Sequence, residues 1–455
     1  MIKKIHFLGI LGSGMSSLAI FTQEYGHQIT GSDLVNPCNK KLPNWLNPNS
    51  YTDSYNQAFI DEADYVVYSS AIGDDHIELQ YAKKLNKKIL HRSELINIFT
   101  AEKKVISIAG THGKTTTSSI MSWLFEQGNC QPSFIIGGIP ANMPSAKFNQ
   151  GEHLILEADE SDGSFLKYKS DICIITNIEP DHLENHNHSI ASYLDKFKTF
   201  ITKTKICIYN IHDQYSNQLI KHIKNTEFHS FGFDSHADFQ ITHIENKDLI
   251  QLITLKLPCG DTTVIKTSLL GKYNAENVVA AWIGGYFQNI DKDNLSKHVE
   301  GFKGVNRRCE HIGSIKLNTK SIPIFDDYGH HPTECHSVLS EYRRQNKKII
   351  HIFQPHRYSR LNHFFDEFIH ALSLSDILLI SDVFSAGEEK LNMKDSHDLV
   401  LSIKNLNKQV FYINDNHEIV DIVNQFIDND SIVLFQGAGN ISKIAHECVA
   451  IWNQN

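Results

Sequence analysis

The densest chemistry in this 455-residue chain lies at residues 109–117, Ala-Gly-Thr-His-Gly-Lys-Thr-Thr-Thr. The run follows a β-branched apolar stretch at 104–108 and opens a helical pattern over 116–127. A strand that turns at glycines into Gly-Lys-Thr at a helix start presents backbone N–H groups to an anion. The Lys114 ammonium adds a point charge for terminal phosphates, and the Thr115 hydroxyl is a ligand for Mg²⁺. The spacing predicts a nucleoside-triphosphate site built from Gly110, Thr111, His112, Gly113, Lys114, Thr115 and Thr116. It departs from G-x-x-x-x-G-K-[ST] at position 108, where Ile stands in place of Gly. A glycine turn that only capped a buried strand would explain the glycines and leave the Lys-Thr pair idle.

Carboxylates gather at two further strand ends. The stretch 154–156 leads into Glu157-Ala-Asp-Glu-Ser-Asp162, and 172–176 leads into Asn177-Ile-Glu-Pro-Asp-His182. Ligands of open α/β sheets sit beyond the carboxyl ends of strands, so the two clusters together read as Mg²⁺ ligands. Taken singly, Asp159 and Glu160 cap a turn equally well, and His182 faces solvent. His186 and His188 raise a zinc reading; against it, they are solvated loop residues before a helix at Ser189. Asn274 and Asn277 share a helix face suited to a base or ribose, although capping by Asn274 explains the pattern as well. Later come Arg307-Arg308, Asp326-Asp-Tyr-Gly-His-His-Pro332, and Arg357 with Arg360. The last two form either a planar fork for carboxylate or phosphate or a surface ion-pair set; spacing leaves both open.

These groups need sheets to hold them. Gly9-x-x-Gly12-x-Gly14 joins a strand at 5–8 to a helix at 15–25, with Asp33 at the end of the next strand, 28–30. That is close to a dinucleotide fingerprint and favours a nucleotide diphosphate over NAD. Further strands at 64–70 and 88–91 complete a first α/β block to about residue 100. A second block spans 101–304, and a third, 305–455, alternates strands at 322–325, 349–353 and 432–435 with helices. Length alone favours about three domains. With 41% hydrophobic and 21% charged residues the chain is an ordinary globular one. A net charge of −9, mixed in sign and without a basic run, argues against nucleic acid as a ligand.

Lys3-Lys4 before apolar residues imitates a signal peptide, but glycines punctuate that stretch at turn spacing and no cleavage site follows. No apolar run approaches the roughly twenty residues of a membrane span. Eight scattered cysteines without a C-x-x-C pair read as reduced thiols of a cytoplasmic protein.

In order along nearly the whole chain, these motifs resemble the Mur ligases, the ATP-dependent amide-bond-forming enzymes of peptidoglycan synthesis. The shortened phosphate loop, anomalous against the general pattern, is usual there. Within the family, Glu160-Ser-Asp-Gly-Ser-Phe165, Asp326-Asp-Tyr-Gly-His-His-Pro-Thr-Glu334, Phe353-Gln-Pro-His-Arg-Tyr-Ser-Arg360 and Gln436-Gly-Ala-Gly-Asn-Ile441 are most similar to one branch. That branch joins L-alanine to the lactoyl carboxylate of UDP-N-acetylmuramate; the branch that attaches a whole tripeptide to the same sugar nucleotide ranks second. Leu11 stands where the family usually has Gly, and Tyr273 where His commonly precedes Asn274.

The resemblance implies a three-domain α/β fold. A Rossmann-like UDP-binding domain (1–100) precedes a central P-loop ATP-binding domain (101–304). A Rossmann-like C-terminal domain (305–455) then binds the amino acid and completes the ATP site. It implies UDP-sugar contacts from Gly9, Gly12, Ser13, Gly14, Met15 and Ser16, with Asp33, Ser70 and His91 near the uridine. Lys114 would meet the β/γ-phosphates, Thr115 and Glu157 one Mg²⁺, and His182 with Glu157 a second. Asn274, Arg307 and Asp326 would serve the nucleoside and phosphates, and Tyr328, His330, Arg357 and Arg360 the alanine carboxylate and acyl phosphate. Catalysis would then rest on Lys114, Glu157, His182, His330, Arg357 and Arg360, assembled on domain closure. Periodicity leaves monomer and weak homodimer both open. A nicotinamide oxidoreductase, argued from the first glycine turn alone, leaves the phosphate loop unexplained.

Overall fold

The structure, a computed structural model, describes residues 2–33, 42–181, 183–186, 189–247, 250–317, 320–406, 409–413 and 415–454. The chain divides into two compact units, Met1–Lys303 and Gly304–Asn455.

The first unit holds two sheets. One has five parallel strands, β1 (Lys4–Leu8), β2 (Gln28–Ser32), β3 (Tyr51–Thr52), β4 (Tyr65–Tyr68) and β5 (Lys88–His91), ordered β3-β2-β1-β4-β5. Strand order reverses at β1, so the glycine turn after it opens at the sheet's switch point, ahead of helix Ser13–Glu24. The second sheet has β6 (Lys104–Ala109), β7 (Ser133–Ile135), β8 (Ala146–Lys147), β9 (His153–Glu157), β10 (Ile172–Ile175), β11 (Ile206–Asn210), β12 (Glu227–Gly232), β13 (Phe239–Lys247), β14 (Ile250–Lys256) and β15 (Thr262–Thr267). Its order is β15-β14-β13-β12-β11-β10-β6-β9-β7-β8, which again puts a switch point beside β6, between β10 and β9. The strands β6, β9 and β10 are buried almost throughout, as parallel strands covered on both faces must be.

One piece goes beyond the sequence reading. Residues 239–267 add antiparallel strands β13–β15 to the parallel sheet. Their alternating burial is the period-two pattern of a sheet with one solvated face. The buried helix Lys272–Tyr286 packs on helix Lys114–Gln127. Its Gly284 leaves room for Met121, whose Cε an added Cβ would strike.

The two sheets of this unit share one apolar cluster, running from Phe7, Phe21 and Phe99 to Leu154, Phe165 and Phe197. Ser17 Oγ donates to Ile136 O at 2.6 Å, and Phe148 N to Glu24 at 2.7 Å, so polar contacts also join them.

The second unit has β16 (Glu310–Leu317), β17 (Lys320–Asp327), β18 (Lys348–Phe353), β19 (Ile377–Ile380), β20 (Gln409–Tyr412) and β21 (Ser431–Gln436). They are ordered β16-β17-β21-β18-β19-β20, with only the β16–β17 pair antiparallel. The carboxyl ends of β17, β18 and β21 therefore lie side by side. Among the described residues no helix is long and apolar enough to cross a membrane.

Candidate active site

At the end of β6 the chain turns at Gly110 (φ 134°) and Gly113 (φ 82°), conformations that L side chains rarely adopt. An added Cβ at Gly110 would also strike Thr176 Oγ1 and Asn177 O. Two residues separate the glycines, and the segment after β10 holds them. Asn177 Oδ1 accepts from His112 N at 2.9 Å, while Thr176 Oγ1 and Asn177 Nδ2 donate to His112 O at 2.6 and 3.0 Å. Thr111 N donates to Asn177 O at 3.0 Å, and Glu179 N to Thr111 Oγ1 at 2.8 Å.

Lys114 begins helix Lys114–Gln127, and its ammonium bends back over the loop. Nζ donates to Gly110 O at 2.6 Å and pairs with both oxygens of Glu160 at 2.8 and 2.9 Å. Burial alone would lower the lysine pKa, but the charges of Glu160 and Asp159 outweigh it and the net shift is upward. Burial pushes Glu160 up to about 7. Thr115 Oγ1 donates to Glu157 Oε1 at 2.9 Å, and Gly137 N to Glu157 Oε2 at 2.7 Å. Threonine hydroxyl and carboxylate thus stand together at the helix start, a hard-oxygen set suited to Mg²⁺.

The acidic loop after β9 reaches toward the first sheet. Arg92 Nη2 donates to Asp159 Oδ2 at 2.6 Å and to Asp162 Oδ2 at 3.4 Å. Ser70 Oγ donates to Asp162 Oδ2 at 2.7 Å, with His91 Nε2 4.0 Å from the same oxygen. Burial works to raise the Asp159 pKa, yet Arg92 and Lys114 hold it well below the usual carboxylate range. In the glycine turn after β1, Leu11 N donates to Asp33 Oδ2 at 2.9 Å, so Asp33 orders the turn from the next strand end. Ser16 Oγ donates to Ile10 O at 2.8 Å.

In the second unit, the guanidiniums of Arg307 and Arg308 lie 4.9 and 5.0 Å from the Tyr328 ring centre. Arg307 Nη2 donates to Gly437 O at 2.7 Å, and its Nε lies 3.7 Å from Asp326. Asp326, fully buried, accepts from Ser442 Oγ at 2.5 Å; burial raises its pKa against the pull of that bond and of Arg307. His330 Nδ1 lies 3.0 Å from Tyr328 O, and burial lowers the ring's pKa to about 3, holding it neutral. Helix Pro332–Arg344 starts on a capping box of His331 and Glu334, whose Oε2 also accepts from His330 N at 2.9 Å.

Several sequence readings resolve here. Asn274 is not the helix cap: Gly271 is, and Asn274 Nδ2 donates to Leu270 O at 2.9 Å. Asn277 Oδ1 accepts from Thr117 Oγ1 at 3.2 Å and closes on Gly113, so it braces the phosphate loop. Arg357 and Arg360 take separate partners, Arg357 Nε meeting Glu388 at 2.7 Å while the buried Arg360 lies 3.3 Å from His356 Nδ1. His186 is not a solvated loop residue: it is 1% exposed and packs edge-on to Tyr193 at 4.8 Å. His182 and His188 lie outside the described residues. Asp159 does bind the turn, through Ser161 N at 3.0 Å; Glu160 joins it through its main-chain O, which accepts from Gly163 N at 3.0 Å, while its carboxylate pairs with the lysine. Sequence reasoning missed Arg92, Glu160 as the Lys114 partner, the Thr176–Asn177 clamp and Glu388. Only the run of polar residues at strand ends could have pointed to them.

Comparison with known proteins covers the full length. Three family models match: "Mur ligase family, catalytic domain" over residues 4–104, "Mur ligase middle domain" over 108–284, and "Mur ligase, glutamate ligase domain" over 307–439. The UDP-N-acetylmuramate–L-alanine ligase of Buchnera aphidicola subsp. Acyrthosiphon pisum (strain 5A) is 36% identical over 98% of this chain and 94% of its own. The enzyme of that name from Dictyoglomus turgidum is 34% identical over 98% and 97%. Among solved structures, UDP-N-acetylmuramate-alanine ligase from Thermotoga maritima superposes with a TM-score of 0.81 at 23% identity, covering 99% of each chain. A murein peptide ligase from Psychrobacter arcticus has a TM-score of 0.70 at 19% identity, covering 100% of this chain and 99% of its own. At these identities both structures speak to the fold.

Proposed function

The chain belongs to the Mur ligase family, and from that premise we propose that it joins L-alanine to the lactoyl carboxylate of UDP-N-acetylmuramate, converting ATP to ADP and phosphate in peptidoglycan precursor synthesis. One observation carries the reading: at the phosphate loop Lys114 pairs with Glu160 and Thr115 with Glu157, in a chain aligned over 98% of its length with a ligase named for that activity.

A carboxylate is a poor acyl donor because oxide is a poor leaving group. Transfer of the γ-phosphoryl group to a carboxylate oxygen, with ADP leaving, makes an acyl phosphate. The alanine amine then attacks the carbonyl carbon and loses a proton, and inorganic phosphate departs with the C–O bond electrons. Both steps build negative charge, so fixed cations and N–H groups should do most of the work. Lys114 would exchange Glu160 and the Gly110 carbonyl for phosphate oxygens. The N–H groups of residues 113–115 would cradle the phosphates in a loop whose shape Thr176 and Asn177 fix, Asn177 by engaging the N–H groups of Thr111 and His112. Thr115 and Glu157 would hold Mg²⁺, which would supply positive charge to offset the charge that builds on the transferred phosphoryl group. A second ion on His182 is part of the same reading.

The turn at Gly9, Gly12, Ser13, Gly14, Met15 and Ser16 would take the UDP diphosphate, with Ser70 and His91 beside the nucleotide. Arg357 and Arg360 would receive the amino-acid carboxylate, with neutral His330 and Tyr328 near the acyl phosphate. Among the described residues no disulfide forms, which fits a cytoplasmic enzyme.

The test is a coupled phosphate-release assay with UDP-N-acetylmuramate, offering L-alanine, glycine, L-serine and the murein tripeptide side by side. Release that requires UDP-N-acetylmuramate and L-alanine together supports the reading. Release with the tripeptide but not L-alanine overturns it in favour of the recycling ligase.

A further inference from the structure

Arg92 has no part in the reading above, yet it touches both halves of it. It opens helix Arg92–Thr100, whose start is already secured by a capping box of His91 and Glu94. The guanidinium is therefore not needed for the cap and reaches across to the acidic loop, Nη2 donating to Asp159 at 2.6 Å and Asp162 at 3.4 Å. Its Nη1 faces the other way. A Cβ added to Gly14, in the first turn of the helix after β1, would stand 2.8 Å from that nitrogen. Nε is buried and lacks a hydrogen-bond partner. One guanidinium thus abuts the anion-binding turn of the first sheet and holds the loop whose next residue, Glu160, grips Lys114. The continuous apolar cluster beneath it leaves the two sheets little freedom to take up a change separately.

We propose that Arg92 is a positioning residue that couples occupancy of the glycine turn after β1 by a nucleoside diphosphate group to nucleotide binding at Lys114. The proposal rests on the reading of that turn as the UDP site. A diphosphate on the turn meets Nη1, the guanidinium nitrogen that lies beside Gly14. Drawing on the guanidinium loosens its hold on Asp159 and Asp162, and so changes the field and placement of Glu160 beside Lys114. Arginine suits this because its planar fork serves two anions at once; a lysine serves one.

The test is calorimetric titration of UDP into the full chain, with and without a saturating non-hydrolysable ATP analogue and Mg²⁺. In the wild type the UDP Kd should differ by about fivefold or more between the two conditions. Arg92→Met should weaken UDP about tenfold or more, as loss of a charge-assisted hydrogen bond does, and bring the ratio close to one. Asp162→Asn, which removes a charge that Arg92 holds on the acidic loop, should shrink the ratio whatever it does to UDP affinity through Ser70 and His91. Arg92→Lys should regain affinity but not the ratio. A merely structural arginine would lower Tm and leave the ratio alone. A wild-type ratio near one, or a ratio unchanged in both Arg92→Lys and Asp162→Asn, overturns the proposal even if Arg92→Met fails to fold. Absence of UDP binding by the wild type instead refutes the reading of the turn, and the coupling falls with it.

Discussion

Replacing Glu157 by Gln separates the charge of that residue from its hydrogen bonds. In the structure one carboxylate oxygen accepts from Thr115 Oγ1 at 2.9 Å and the other from Gly137 N at 2.7 Å. A glutamine amide keeps both contacts: its oxygen takes the Gly137 N–H, and its N–H₂ donates to the Thr115 hydroxyl, which rotates to accept. Two neutral bonds replace two charge-assisted ones, so stability should change by no more than about 1 kcal/mol. What disappears is the negative charge facing the expected Mg²⁺. Losing one preorganised electrostatic contribution to phosphoryl transfer costs about 3–4 kcal/mol, or two to three orders of magnitude in kcat. The assay is phosphate release at saturating UDP-N-acetylmuramate and L-alanine across a Mg²⁺ titration, beside a thermal melt. The expected variant melts like the wild type, turns over far more slowly and needs more Mg²⁺. Glu157→Ala should add about 1–3 kcal/mol of destabilisation, because Thr115 and Gly137 then lose their acceptor. If Glu157→Gln stays within about threefold of wild-type turnover at limiting Mg²⁺, Glu157 is not a metal ligand and its carboxylate serves only to join the two segments.

Gly110→Ala combines a φ of 134° with collision against Thr176 and Asn177, and should cost about 2 kcal/mol or more and abolish nucleotide binding; a normal melt with normal ATP affinity would refute the clamp. Asn177→Ala removes both side-chain bonds to His112 and should raise KM for ATP about tenfold with little effect on KM for L-alanine, as steady-state kinetics will show. Arg360→Lys should raise KM for L-alanine more than KM for ATP, and equal rises would mark Arg360 as a structural residue. His351 is fully buried, with Nδ1 3.0 Å from Ser375 Oγ, and burial lowers its pKa from 6.5 to about 3. Its neutral form is thus favoured in the folded state, so its contribution is complete above 6.5 and is lost as pH falls toward 3. Between pH 8 and 5 the wild type should lose about 2 kcal/mol that His351→Gln does not, measured by urea unfolding.

What the sequence disclosed was what local pattern records. Buried parallel strands read as apolar runs, and the structure brings together the polar residues just past them at the strand ends. The third block alternates strands with helices as its pattern reads, and helix Pro332–Arg344 carries its start signals in the sequence, a proline in the first turn and a capping box of His331 and Glu334. Partners across elements left no such record. Arg92 meets Asp159 and Asp162 from 67 and 70 positions away, and nothing in its own helix distinguishes it from a surface arginine. His186 shows the converse failure: a string of polar residues hid a ring packed on Tyr193, since polarity of neighbours says little about a residue at the edge of an aromatic core.

The departure at position 108 and the clamp from β10 are one feature. In the general phosphate-loop pattern four residues separate the two glycines, enough to form a nest from their own N–H groups. Here β6 continues through Ala109, with Ile108 fully buried and paired in register with Ile174 of β10. The turn is left with Thr111 and His112 alone between its glycines. A loop so short has too few groups to fix its own shape, and the residues after β10 supply what is missing by bonding Thr111 and the peptide groups of His112. The Thr-Asn pair of the second acidic motif therefore shapes the loop proposed to bind phosphate, and a substitution there should register first in nucleotide affinity.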